Sequence, residues 1–226
     1  VRQGEIVGLI GPNGAGKTTF IDAVTGFTQS DGAILFDGQE LRGVSPHEIA
    51  RIGLRRTWQS VELFNDISIS DNVLVALEDA TFSSVIRDLI MPTKDKRKDR
   101  VDAALRAVGL DPGGNTDTSE LSLGQQKLLG VARALVTQPK LLMLDEPAAG
   151  LSSAETQALG TRIVDIAHSG TAVLLVDHDM DLVLEICDRI FVLDFGRLIA
   201  SGSPEHIQKD TAVIEAYLGA TSEVES

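Results

Sequence analysis

Eight residues near the start of the chain, Gly11-Pro12-Asn13-Gly14-Ala15-Gly16-Lys17-Thr18, fit the pattern G-x-x-x-x-G-K-[ST]. This pattern constrains the fold as much as the chemistry, because it works only between a buried strand and a helix. Glu5 to Ile10 supplies a short apolar strand, and Lys17 to Val24 supplies the helix. Gly11, Gly14 and Gly16 permit backbone conformations that a Cβ forbids, so N–H groups can approach an anion. The helix start adds unpaired donors and the positive end of a dipole. Lys17 can then reach the β- and γ-phosphates of a nucleotide, and the Thr18 hydroxyl can bind Mg²⁺. Pro12, Asn13, Ala15 and Thr19 complete the cradle.

The remainder alternates strands and helices. Ala33 to Leu41 is expected to form a small hairpin around Asp37-Gly38, and Ser45-Pro46 to open a short helix. Arg55 to Gln59 suggests a strand, and Ser70 a cap for a helix over Asp71 to Leu77. Lys94 to Arg100, basic but interleaved with Asp95 and Asp99, is the solvated start of a helix running to Val108. After a Pro/Gly/Asn/Asp-rich connection come a helix (Gly124 to Val136), a strand (Lys140 to Leu144), a helix (Ser153 to His168) and a strand (Thr171 to Val176). Such alternation favours a mostly parallel sheet flanked by helices. Asp194-Phe195-Gly196 spells a kinase magnesium motif without the other kinase signatures, and is read as a hairpin turn.

Composition narrows the partners. The chain has 226 residues, 43% of them hydrophobic, which is ample for one large α/β domain. Acidic residues outnumber basic ones 33 to 20, for a formal charge of −13, which argues against general binding to nucleic acid. No apolar run approaches the roughly 18 residues of a membrane span. The single cysteine, Cys187, rules out an internal disulfide framework and is expected to be a buried small residue.

Later segments add to the first. Leu121-Ser122-Leu123-Gly124-Gln125 lies just ahead of Leu141-Leu142-Met143-Leu144-Asp145-Glu146-Pro147, and His178 follows the apolar run Ala172 to Val176. With Gln59 between them and the phosphate loop, these segments resemble, in order, the motifs of the ATP-binding cassette of ABC transporters. The resemblance runs from residue 4 to about residue 219. Thr57-Trp58-Gln59, Pro147-Ala148-Ala149-Gly150-Leu151, His178-Asp179-Met180 and Tyr217-Leu218-Gly219 are similar to the branched-chain amino-acid importer ATPases, whose urea and amide relatives share much of this.

The resemblance implies a P-loop α/β fold with an inserted helical subdomain and a truncated antiparallel N-terminal part. One cassette would fill 1–226, with a nucleotide-binding core at 1–58 and 137–226 and a mainly helical part at 59–136. It implies ATP and Mg²⁺ as cofactors, with Thr18, Gln59 and Asp145 near the metal. Glu146 would orient or deprotonate the attacking water, His178 would contact the γ-phosphate, and Gln59 would reach Mg²⁺ or water. Ser122, Gly124 and Gln125, placed ahead of a helix, would contact the γ-phosphate held by a second cassette, so that two copies close head to tail. Permease subunits on the inner face of the cell membrane, and indirectly an extracytoplasmic solute-binding protein, are the other implied partners.

Without the resemblance, an Asp-Glu pair is compatible with a solvated strand end, and a lone His or Gln at a strand end with a structural role. The chain departs from the family in three places: Leu123 stands where Gly is commonest, Gly150 to Glu155 lacks an aspartate, and only ten residues precede the phosphate loop. Family members carry further strands there with an adenine-stacking aromatic, so a fragment with weaker and less selective ATP binding is expected. Alternatives are an export cassette of the lipopolysaccharide type, a DNA-repair or chromosome ATPase, and a non-hydrolysing regulatory cassette. The absence of a coiled coil or cysteine pairs between loop and signature argues against the second, and the presence of Lys17, Glu146 and His178 against the third.

Overall fold

The computed structural model describes residues 1–58, 62–77, 94–112 and 117–222. In chain order they form β1 (Ile6–Ile10), α1 (Lys17–Val24), β2 (Leu35–Phe36), β3 (Gln39–Glu40), α2 (Pro46–Arg51) and β4 (Leu54–Arg56). Next come α3 (Ile69–Val75), α4 (Lys94–Ala107), α5 (Leu123–Leu135), β5 (Leu141–Asp145), α6 (Ser153–His168) and β6 (Ala172–Val176). The chain ends with α7 (Met180–Ile186), β7 (Arg189–Asp194), β8 (Arg197–Gly202), α8 (Pro204–Ile207) and α9 (Thr211–Ser222).

One six-stranded sheet carries the order β4-β5-β6-β1-β7-β8. Its first five strands are parallel, and β8 returns antiparallel to β7 through a hairpin. β2 and β3 form a separate two-residue antiparallel ladder around Asp37-Gly38. The central strands are short unbroken apolar runs because both sheet faces are covered. Successive residues go to opposite faces with the strand period of two. Ile6, Ile10, Leu142, Leu144, Val173 and Leu175 enter the larger core, which is roofed by residues of α4, α5, α6 and α7. Val7, Leu9, Met143, Leu174 and Val176 enter a smaller one with Ile21 of α1, Ile49 of α2 and Leu54.

Most expected elements are present, with shifted ends. β4 stops at Arg56, short of the expected Gln59, and the Thr57 N–H makes a last bond to the Met143 carbonyl (2.9 Å). Gln59 itself lies outside the described residues. The cap of α3 is Ser68 and not Ser70: the Ser68 side chain accepts from the Asp71 N–H, and Ile69 at the first helical position is buried. Burial of Ile69 against the core therefore moves the helix start back by two residues. α5 begins one residue earlier than expected, which places Gly124 and Gln125 inside its first turn and leaves Ser122 as its cap.

Candidate functional site

The phosphate loop is held from three sides. β1 is buried along its whole length, so the chain must leave the sheet at Gly11. There φ is +153°, and a Cβ would lie 2.1 Å from the Leu193 carbonyl oxygen of β7, a contact no side chain survives. Gly16 caps α1 in the left-handed region (φ 97°), with no side chain bonding the helix's first N–H groups and no acidic residue in its first turn. Those donors are therefore available to an anion. Asn13, Gly14, Thr18 and Thr19 are exposed around them, Pro12 is half-buried, and Ala15 is buried beneath.

Lys17 is 7% exposed. Its Nζ donates to the carbonyls of Gly11 (2.7 Å) and Pro12 (3.0 Å), so the lysine is tied to the loop it serves. Burial lowers the pKa of its ammonium, against the opposing pull of the charges on Glu146, Asp145 and Asp177. β5, β6 and β1 are successive parallel neighbours in the sheet, so the acidic ends of β5 and β6 lie on the same edge as the loop that follows β1.

The acidic edge forms where β5 and β6 end in register, Asp145 opposite Val176. Asp145 is buried; its Oδ2 accepts from the Arg56 guanidinium (2.7 Å), while its Oδ1 is buried with no hydrogen-bond partner. Arg56 also donates to Asp22 of α1 (2.5 Å) and lies 4.5 Å from the centre of the Trp58 ring, which meets Phe27 edge-on. Glu146 is half-buried with φ +48°, its N–H bonded to the Val176 carbonyl (2.7 Å) and its own carbonyl to Lys127 Nζ (3.1 Å). A non-glycine residue held in this region stores strain that surrounding structure must overrule.

Asp177 organises the turn beyond both strands. It is fully buried, and its Oδ2 accepts from the Ala148 N–H while Oδ1 accepts from the N–H groups of His178 and Asp179. One carboxylate thus fixes the path of the chain after Glu146 and the position of His178, whose exposed ring has Nδ1 3.6 Å from Asp177 Oδ1. Asp177, Arg56 and Lys127 were not singled out from sequence. The available signals were a charge closing an apolar strand, a charge in the short strand before Trp58, and a lysine on the buried face of α5.

The structure therefore brings Gly11 to Thr19, Asp145, Glu146 and His178 to one edge of the sheet. Ser122, Gly124 and Gln125 gather elsewhere, at the N-terminus of α5. Ser122 and Gln125 form a reciprocal capping box, and the Ser122 hydroxyl also donates to Glu155 of α6 (3.4 Å). A Cβ on Gly124 would sit 2.9 Å from that same carboxylate oxygen, so the residue there must be glycine unless Glu155 moves. A cleft of about 650 Å³ opens between β4 and α5, with Arg56, Trp58, Phe64, Lys127 and Arg133 among its walls.

The residues fit a nucleotide and its metal. The glycine-walled loop with free helix donors suits phosphates, and the unpartnered Asp145 Oδ1 suits a cation or its water shell. No cluster of three or more His, Cys, Asp or Glu side chains able to hold a metal occurs among the described residues. A hard cation here would depend on phosphate oxygens, the usual arrangement for Mg²⁺. No helix among the described residues is long and apolar enough to cross a membrane.

Residues 1–149 match the family model described as ABC transporter, and residues 197–222 that described as branched-chain amino acid ATP-binding cassette transporter. The chain is 44% identical to the high-affinity branched-chain amino acid transport ATP-binding protein LivG of Escherichia coli, across 95% of this chain and 87% of that protein. It is 40% identical to the corresponding BraF protein of Pseudomonas aeruginosa, across 97% and 89%. The crystal structure of an ATP-binding cassette of an ABC transporter in its ADP conformation superposes with a TM-score of 0.83 at 28% identity, over 96% of this chain and 89% of that one. With a family model matched over residues 1–149 and relatives 40–44% identical over nearly the whole chain, the chain belongs to the ABC transporter family as an ATP-binding cassette.

Proposed function

We propose that this cassette binds ATP with Mg²⁺, pairs with a second cassette and hydrolyses the nucleotide to drive import of branched-chain amino acids or similar small polar solutes. The observation that carries the reading is the buried, unpartnered Asp145 Oδ1 at the sheet edge shared with Lys17 and Glu146. A bound Mg²⁺ would neutralise charge building on the phosphates. Thr18 and Asp145 would hold it, with Gln59 reaching it or the water, and Lys17 would bind the β- and γ-phosphates. Gly11 to Gly16 and Thr19 would cradle the chain of phosphates with backbone N–H groups.

Glu146 would orient the attacking water and take its proton, while His178 would face the γ-phosphate from the turn fixed by Asp177. Catalysis of this kind is mainly positioning. Ser122, Gly124 and Gln125 would meet the γ-phosphate bound by the partner cassette, so that two ATP molecules close the pair. The loop after Gln59 would face permease subunits on the inner side of the cell membrane, with a solute-binding protein engaged through them. Support for the branched-chain substrate class comes from the C-terminal match at 197–222 and from the branched-chain amino acid transport proteins to which the chain is similar.

The test is steady-state ATP hydrolysis against protein concentration, with Glu146→Gln as comparison. Turnover should rise more steeply than linearly, and the variant should lose it by about 10²-fold or more, the scale of a general base. Linear turnover untouched by the variant would overturn both the pairing and the role of Glu146. Transport assays of branched-chain amino acids in vesicles carrying the assembled permease would decide the substrate class.

A further inference from the structure

α5 buries Gly124, Lys127, Leu129, Val131 and Ala132. Gly124, Lys127 and Val131 are three and then four residues apart, so they share one face of the helix. On packing grounds a lysine does not belong there: it is 9% exposed at a position an apolar side chain would fill. Burial lowers the pKa of its ammonium, while the charges of Asp177, Glu146 and Asp145 act in the other direction. A methionine of similar length would avoid the desolvation altogether. The packing of α5 therefore does not explain the cation.

Two of the nearby carboxylates are already engaged. Asp145 is paired with Arg56 (2.7 Å), and Asp177 has its oxygens on the N–H groups of Ala148, His178 and Asp179. Lys127 Nζ donates to a main-chain acceptor, the carbonyl of Glu146 (3.1 Å). That same carbonyl accepts the Ala149 N–H (3.2 Å), which closes the turn after β5, and the Glu146 N–H is fixed to the Val176 carbonyl (2.7 Å). Glu146 is thus gripped at both ends of its backbone, by β6 on one side and by α5 on the other. Its φ of +48° persists only while such contacts over-determine it. The backbone conformation in turn fixes where its Cβ points, and so where its carboxylate can reach.

The helix that supplies Lys127 starts from the Ser122 cap, five residues earlier and about 7.5 Å along its axis. One rigid element therefore carries both the end assigned above to the partner's phosphate and the amine that grips Glu146.

We propose that Lys127 is a positioning residue, whose amine holds the Glu146 backbone in the left-handed conformation that aims the carboxylate at the attacking water. This rests on the reading of Glu146 above and goes further by assigning what holds it in place. Removing the amine displaces the base and leaves the phosphate loop intact, so the loss falls on kcat and not on KM.

The experiment is steady-state hydrolysis of ATP with Mg²⁺ by the unaltered chain, Lys127→Met, Lys127→Arg, Glu146→Gln and the double variant Lys127→Met/Glu146→Gln. Amide exchange at Ala149, followed by NMR in the nucleotide-free chain, accompanies it. Lys127→Met should lower kcat by about 10- to 100-fold with KM little changed, the scale of a misplaced catalytic group. Lys127→Arg restores a donor and should recover most of that loss. On the Glu146→Gln background Lys127→Met should cost no further rate, because it acts through Glu146. The Ala149 amide should exchange about 10-fold faster in Lys127→Met, since its turn loses an anchor, and Lys127→Arg should restore protection. This measurement needs no turnover, so it decides the grip even in a slowly hydrolysing chain. An unchanged kcat in Lys127→Met would overturn the proposal, as would an unchanged Ala149 exchange rate or an Arg variant as slow as the Met one. A loss that multiplies with that of Glu146→Gln would also overturn it, marking general damage to the site. Full turnover in Glu146→Gln would overturn the reading of Glu146 as base, and this proposal with it.

Discussion

Cys187 closes α7 as its C-terminal cap, with its thiol buried among core residues as the sequence suggests. Burial, helped by the charge of Asp188, pushes that thiol up to about 12 from an unfolded value near 9.0. The folded chain therefore keeps a proton that the unfolded chain gives up between these values, and stability falls as pH rises from about 9 towards about 12. Below pH 9 the contribution is fully present. Urea titrations from pH 8 to 11 should show the unaltered chain losing stability relative to Cys187→Ala over that window; parallel pH profiles would refute it. The same burial makes the thiol a poor nucleophile in the native state. Single residues of this type were legible as buried, because a lone cysteine behaves as a small apolar residue and Cys187 follows a mostly apolar run from Leu182 to Ile186. Asp177 was not, because nothing in a strand-end aspartate announces that three backbone N–H groups will converge on it.

Elements were legible wherever periodicity and local caps agreed. The helices at Lys17–Val24 and Ser153–His168 match expectation to the residue, each with a sharp start: a left-handed glycine in one case, a Ser152–Glu155 capping box in the other. α3 was misplaced because Ser68 and Ser70 both suit a cap, and only burial of Ile69 decides between them. What no local pattern could announce is Arg56, which ties three elements together: Asp22 on α1, Asp145 on β5, and its own strand β4. The Arg56 and Asp145 side chains are 7% and 1% exposed, so removing the cation strands a buried carboxylate. Arg56→Leu should lower stability by about 3–5 kcal/mol, and adding Asp145→Asn should recover part of that loss, as read from urea midpoints. Additive losses in the double variant would show that the two side chains do not act as a pair.

The whole molecule was legible as a parallel α/β sheet, since its strands are apolar runs separated by helices. Strand order was not, because it depends on which helices cover which face. Ligand linkage operates at this scale. Mg²⁺ with ATP at about 100 times Kd should add about 2.7 kcal/mol of stability, a rise of roughly 5–10 °C in the melting temperature for a chain of this size. Lys17→Ala should abolish the rise, and a shift that survives the substitution would remove Lys17 from nucleotide binding. Between molecules, the shared carboxylate of Glu155 has its own effect. It is held below the usual range first by the Ser152 N–H and hydroxyl and then by Gly124 and Ser122, so it carries its charge throughout the neutral range. The N-terminus of α5 thus has an anion beside it from within the chain. A phosphate brought there by another molecule must change places with a carboxylate and not merely with water. Docking at that helix end is then a form of ion exchange, in which local net charge changes little and added salt has correspondingly little to screen.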